Sequence, residues 1–172
     1  MCIRDSIKAY LEKQGLHYNL KSAFSNGEQP PAPIVVVDTL GELAKFYKVA
    51  SVVFVGKSLT QKGGHNPIEP AIFAKPIIFG PYMDNFEEAA NLLIESGGAL
   101  VVRNIEELTH AILELLLNPE RAHAVGRRAR EAVLSRTGAV ENSIRQMKLA
   151  LDTTPQAGHH FHEPRPAAGQ HA

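Results

Sequence analysis

The feature that most narrows the fold is a set of four short, unbroken apolar runs: Ile34-Val35-Val36-Val37, Val52-Val53-Phe54-Val55, Ile77-Ile78-Phe79 and Ala99-Leu100-Val101-Val102. Runs of this length with no polar alternation read as parallel strands buried on both faces. Segments of helical character lie between and after them. These are Leu40 to Tyr47, the run Ala71-Ile72-Phe73-Ala74, Phe86 to Ser96, and the strongly amphipathic stretch Ile105 to Leu117, stopped by Asn118-Pro119. A last helical region spans Arg121 to Leu151, with a break expected near Thr137-Gly138. Upstream, a helix from Ile7 to about Gln14 is capped by Gly15, and Leu16 to Leu20 makes a short strand before a loop from Lys21 to Pro33. Strand–helix alternation of this kind predicts an α/β fold with a parallel sheet flanked by helices.

One loop in this alternation carries the chemistry. Val52 to Val55 runs through Gly56-Lys57-Ser58-Leu59 into Gly63-Gly64-His65-Asn66-Pro67-Ile68-Glu69-Pro70. In an open parallel sheet such a turn lies at the carboxyl end of a strand, where ligands bind. Gly63 and Gly64 let the backbone turn sharply and a ligand come close. Asn66 reads as an N-cap and Pro67 as a first helical residue, so the helix start would offer free N–H groups to an anion such as a phosphate. The Glu69 carboxylate, in the first turn, can accept two hydrogen bonds from a ribose diol. Gly-Gly and Asn-Pro are also ordinary turn signals, and a glutamate in a first turn also complements the helix dipole. The whole run, placed after a buried strand, favours a binding loop.

Composition removes other classes. At 172 residues the chain is long enough for one domain with a real core. Its formal net charge of zero provides no field for nucleic acid or an anionic membrane. Arg127-Arg128 and Arg130 read as a solvated helix face. A single cysteine, Cys2, excludes an intramolecular disulfide framework and is compatible with a reducing cytosol. No apolar run approaches the roughly 18 residues of a transmembrane helix, and no signal peptide is visible. Residues 1–6 have the look of a non-native scar, and residues 153–172, poor in aliphatic side chains, read as a disordered tail. His159, His160 and His162 lie in that tail, where nothing rigid would fix a metal site, so no metal is expected.

In order along the chain stand Asp38-Thr39-Leu40-Gly41-Glu42-Leu43, Phe54-Val55-Gly56-Lys57-Ser58-Leu59, the run from Gly63 to Ala71, Gly80-Pro81 and Asn85-Phe86. Together, over about Leu16 to Leu151, they resemble the C-terminal half of 3-deoxy-D-manno-octulosonic acid (Kdo) transferases. These are GT-B glycosyltransferases of lipopolysaccharide biosynthesis. The resemblance implies a Rossmann-like nucleotide-sugar-binding domain. It implies transfer of Kdo from CMP-Kdo to a lipid A precursor, with inversion at the anomeric carbon, release of CMP and no cofactor beyond the donor. It implies that Gly63, Gly64 and Glu69 hold CMP, with Glu69 on the ribose. Ser58, His65 and Asn66 would lie near the phosphate or the Kdo carboxylate, and Asn85 would border the same pocket. Ser58 has a second reading as a turn-closing residue, and His65 as a packing residue. Asp38 reads as a cap, and Glu42 fits a dipole role. Lys57 stands where a glycine is usual, and Tyr82 where a histidine is common, so Tyr82 is given no catalytic role.

The same resemblance implies that residues 7–152 form an incomplete domain that enters after its first βα unit. The acceptor domain, the general base (a carboxylate) and a membrane-associating segment would then precede it. The parent would act at the cytoplasmic face of the bacterial inner membrane, while this piece has a soluble character. Alone, the piece is expected to be inactive and, with sheet edges uncovered, poorly stable. Two other readings fit part of the pattern: a GT-B enzyme or epimerase using a UDP-sugar, and a non-catalytic nucleotide-binding module.

Overall fold

The computed structural model describes residues 3–24, 28, 30–60 and 63–152, with side chains described as far as residue 136. The chain divides into two compact units, Met1–Ser135 and Arg136–Ala172. Among the described residues the second unit is helical throughout. The predicted tail and its three histidines lie outside the described residues, as does Cys2.

The first unit opens with helix α1 (Ile3–Lys13), which starts four residues before the predicted Ile7 and takes in part of the segment read as a scar. It closes as predicted at Gly15, whose φ of 65° lets the Leu16 N–H return to the Leu11 carbonyl. Strand β1 (Tyr18–Leu20) then pairs in parallel with β2 (Ile34–Val36), with Tyr18 opposite Ile34. The apolar run of β2 is predicted to be buried on both faces, but all three residues are only half-buried. Among the described residues β2 has β1 as its single neighbour in a two-stranded sheet, so less of it is covered. Helix α2 (Leu43–Val49) starts three residues later than expected, because Leu40 is fully exposed and Gly41 takes a φ of 75°. Asp38, expected as a cap, does not cap this helix. The Asp38 carboxylate accepts from the Ser22 N–H and hydroxyl, at 2.9 and 2.7 Å, and the Thr39 hydroxyl donates to the Glu42 carboxylate.

The core belongs to a second, three-stranded parallel sheet of β3 (Val53–Phe54), β4 (Ile77–Phe79) and β5 (Ala99–Val101). β4 is central and wholly buried, pairing Ile77 with Val53 on one side and with Ala99 on the other. Side chains of a strand alternate between faces. Accordingly Ile77 and Phe79 join one apolar layer, and Ile78 joins the other. The first layer includes Ala71 of helix α3 (Ile68–Ile72) and Ala90 and Leu93 of helix α4 (Glu87–Glu95). The second includes Ala111 and Leu115 of helix α5 (Ile105–Leu117), whose limits match the sequence reading. Asn118 ends α5 and also caps helix α6 (Pro119–Asp152), accepting from the Arg121 N–H at 3.1 Å. α6 continues through Thr137 and Gly138, where a break was expected.

Helix α6 is unusual in serving both layers: Ala122 and Val125 join the second, and Ala129 and Val133 the first. Two glycines show how it gets close enough. A Cβ on Gly126 would overlap the Ala74 carbonyl, and a Cβ on Gly98 would lie 2.5 Å from the Ala129 Cα. Residues 74 and 98 stand just before β4 and β5. The helix therefore packs backbone to backbone across the amino-terminal end of the sheet and leaves the carboxyl-terminal end to the loops.

Candidate functional site

Two loops meet at the carboxyl-terminal end, one after β3 and one after β4. Ser58 joins them. Its side chain is completely buried, and its hydroxyl donates to the Val55 carbonyl at 2.6 Å while accepting from the Gly80 N–H at 2.8 Å. The Ser58 carbonyl also accepts from the Tyr82 N–H at 2.9 Å. Gly80 lies so near Ser58 and Leu59 that a Cβ there would strike their backbone. The structure thus places Ser58 beneath the expected site rather than on its surface.

Above this floor lies the glycine pair. Gly63 and Gly64 are buried, with φ of 125° and 39°, which favours glycine at both. A Cβ on Gly64 would come within 2.5 Å of the buried Met83 sulfur. A Cβ on Gly63 would lie 3.2 Å from the Asn85 Nδ2 and 3.7 Å from the Lys57 Nζ. Asn85 and Lys57, both exposed, therefore flank the same turn. Lys57 has a φ of 67°, a left-handed conformation that costs a non-glycine residue roughly 1–2 kcal/mol.

His65 is exposed, with Nδ1 3.1 Å from the Gly56 carbonyl. A carbonyl can only accept, so Nδ1 is the donor and Nε2 is left for a ligand. Asn66 accepts from the Ile68 N–H at 3.0 Å through Oδ1, and its Nδ2 lies 3.4 Å from the Glu69 carboxylate, which is exposed. This changes the expected anion site. The helix begins at Ile68, with Pro67 as its N-cap, and has five residues. Proline has no N–H, and the Ile68 N–H is already used, so little of this helix end is free for a phosphate. Ala74, with a φ of 53°, follows the short helix.

Tyr47 was not singled out in the sequence. The rings of Tyr47, on α2, and Phe73, just past α3, lie 6.0 Å apart. Burial and, second, the negative charge of Glu69 raise the Tyr47 phenol above its ordinary pKa, so it belongs to the surroundings of Glu69. Only a long-range contact reveals it. The sequence marks it as nothing more than an aromatic on a helix. Asp38 and Glu42, which follow β2 of the two-stranded sheet, have lowered pKa values. For Asp38 the cause is the Ser22 hydroxyl and then the Ser22 N–H; for Glu42 it is Lys45 and then Thr39. Both carboxylates are occupied by these neighbours.

The resulting site is a shelf of exposed polar side chains. It offers a carboxylate (Glu69), an imidazole nitrogen (His65), an amide (Asn85) and an ammonium (Lys57) around a Cβ-free turn. These groups suit a polar ligand carrying a diol and an anion. Among the described residues, no group of three or more His, Cys, Asp or Glu side chains could hold a metal ion.

No family model matches the chain. It is 34% identical over 140 residues to a 3-deoxy-D-manno-octulosonic acid transferase of Bordetella pertussis, covering 81% of this chain and 33% of that protein. To the enzyme of the same name from Haemophilus influenzae it is 33% identical over 120 residues, covering 69% and 28%. The chain thus spans about a third of the length of these relatives. Among solved structures, it is similar to the C-terminal CMP-Kdo binding domain of WaaA from Acinetobacter baumannii. The TM-score is 0.69 and the identity 25%, over 76% of this chain and 67% of that one. The fold agrees with the predicted Rossmann-like half of a GT-B enzyme, and in sequence and structure the chain corresponds to the C-terminal domain of the Kdo transferase family.

Proposed function

We propose that this chain binds CMP-Kdo on the shelf formed by the loops after β3 and β4. It would supply the donor-binding part of an enzyme that transfers Kdo to a lipid A precursor in lipopolysaccharide biosynthesis. The observation that carries this reading is the match to a CMP-Kdo binding domain at a TM-score of 0.69. The polar groups gathered on the shelf support it.

Each group has a task in this reading. Glu69 accepts from the ribose hydroxyls of CMP. Gly63 and Gly64 let the nucleotide approach the backbone. His65, held by the Gly56 carbonyl through Nδ1–H, donates from Nε2 to the phosphate or the Kdo carboxylate in its imidazolium form. Asn66 orients Glu69, and Asn85 closes the side next to Gly63. Ser58 acts from below by fixing the two loops together. Donors fixed around a departing phosphate stabilise the charge that develops on it. The general base and the acceptor site would come from a second domain facing the shelf, and the whole enzyme would work at the cytoplasmic face of the inner membrane. No helix among the described residues is long and apolar enough to cross a membrane, so in this reading attachment lies elsewhere. No cofactor other than the donor is required.

The test is calorimetric titration of the full chain with CMP and with UDP, repeated on Glu69→Ala. CMP is expected to bind more tightly than UDP. Glu69→Ala is expected to weaken CMP about tenfold or more, as the loss of hydrogen bonds to a charged acceptor implies. A preference for UDP would favour a UDP-sugar enzyme. A folded chain that ignores CMP would sink the donor-site assignment.

A further inference from the structure

We propose that Lys57 is a phosphate-gripping residue of this shelf, an inference that rests on the donor-binding reading above. Three observations converge on it. First, its ammonium points back over the glycine turn. The place where a Gly63 Cβ would stand is 3.7 Å from the Lys57 Nζ and 3.2 Å from the Asn85 Nδ2. A cation and an amide donor thus flank the glycine turn, where no side chain of residues 63 and 64 intervenes.

Second, this ammonium is uncommitted. Lys21 donates to the Phe24 carbonyl, Lys45 to Glu42 and Lys75 to the Lys48 carbonyl. Among the described residues Lys57 has no such hydrogen bond, and the ion pairs there are Arg4–Asp5, Lys45–Glu42 and Arg121–Glu114. Third, Lys57 is where the backbone opposes it. Its φ of 67° suits glycine, and a lysine held in that conformation calls for a reason beyond the turn itself.

The chemistry fits. The helix after the glycine pair has five residues, its Ile68 N–H is occupied, and Pro67 and Pro70 have no N–H, so it is ill-suited to hold a phosphate by itself. A compact ammonium on a flexible stem supplies the missing charge. The shelf then divides its work, with the Glu69 carboxylate on the ribose diol and the Lys57 ammonium on the phosphate.

The experiment titrates CMP and cytidine into the full chain and into Lys57→Gly and Lys57→Arg, with circular dichroism on each. Lys57→Gly removes the backbone strain, so it is expected to fold. It should bind CMP about tenfold more weakly than the parent, the loss of one charge-assisted contact. Its affinity for cytidine, which has no phosphate, should not change. Lys57→Arg should keep most of the CMP affinity. Raising the salt concentration should weaken CMP binding more in the parent than in Lys57→Gly. If Lys57→Gly binds CMP as well as the parent, or loses cytidine equally, the phosphate role is overturned while the donor site stands. If the parent binds no CMP, the donor-binding reading falls and this inference falls with it.

Discussion

The two ends of the three-stranded sheet are closed by different partners, a helix at one and a pair of loops at the other. At the amino-terminal end α6 lies against the residues preceding β4 and β5. Backbone meets backbone at Gly126 and Gly98, and nothing larger than hydrogen fits. At the carboxyl-terminal end glycines also admit close neighbours, but these are loops: Gly80 admits the backbone of Ser58 and Leu59, Gly64 the Met83 side chain, and the Ser58 hydroxyl ties the two loops together. One end is closed by a helix, and the other is built from two loops that carry exposed polar side chains. The difference teaches that stability and binding can be perturbed separately in this molecule, even though both ends belong to one sheet of eight residues.

The largest effect should come from Gly126→Ala. In an exposed helix this change would gain up to about 1 kcal/mol. Here the new Cβ would overlap the Ala74 carbonyl. The helix must move, and a loss of about 2–3 kcal/mol in urea-induced unfolding is expected, as for overpacked cores. CMP affinity of the folded fraction should not change. A stabilised Gly126→Ala would show that α6 is not seated on that end.

Ser58→Ala is expected to affect both properties. It leaves the buried Gly80 N–H without its acceptor, which costs about 1–3 kcal/mol. It also frees the two loops from each other, so CMP binding should weaken together with stability. Stability lost with binding intact would mean that the shelf does not depend on its floor.

The smallest effect lies away from both ends, in the link between Ser22 and Asp38. The folded state lowers the Asp38 pKa, chiefly through the Ser22 hydroxyl. The sign follows directly. A depressed carboxylate pKa gives stability that is present above the ordinary aspartate pKa and is lost as pH falls through the lower, folded value. Ser22→Ala should therefore destabilise slightly at neutral pH and flatten the acid side of the stability profile. Equal pH profiles for the two proteins would show that the link carries no weight.

The strands of the main sheet were legible in the sequence as unbroken apolar runs, but of Ile77-Ile78-Phe79 and Ala99-Leu100-Val101 only the first is buried on both faces as expected; Ala99 and Leu100 are half-buried and Val101 is exposed. Asn118-Pro119 likewise announced the end of α5, since an asparagine cap and a proline after it both stop a helix. Among the described residues only β4 has a strand on each side and only β4 is wholly buried; β2, like β3 and β5, is as apolar but has one strand beside it and stays partly uncovered. Burial is decided by neighbours, and a strand's own residues do not name them. The site was legible as a stretch but not as an arrangement. That Ser58 would sit underneath depended on Gly80, 22 residues away. That Asn66 would use up the Ile68 N–H depended on where the helix began. Lys57 was visible in the sequence as a lysine where a glycine is usual, but its place beside Gly63, like that of Tyr47 near Glu69, depended on the fold.

The double duty of α6 also bears on the order in which the molecule can be made. Strands β3 to β5 and helices α3 to α5 are all synthesised before residue 119. Yet one apolar layer waits for Ala122 and Val125, and the other for Ala129 and Val133. Neither half of the core can close early and serve as a template for its partner. A chain emerging from the ribosome holds both layers unfinished until the first four turns of α6 are clear, and then completes them together.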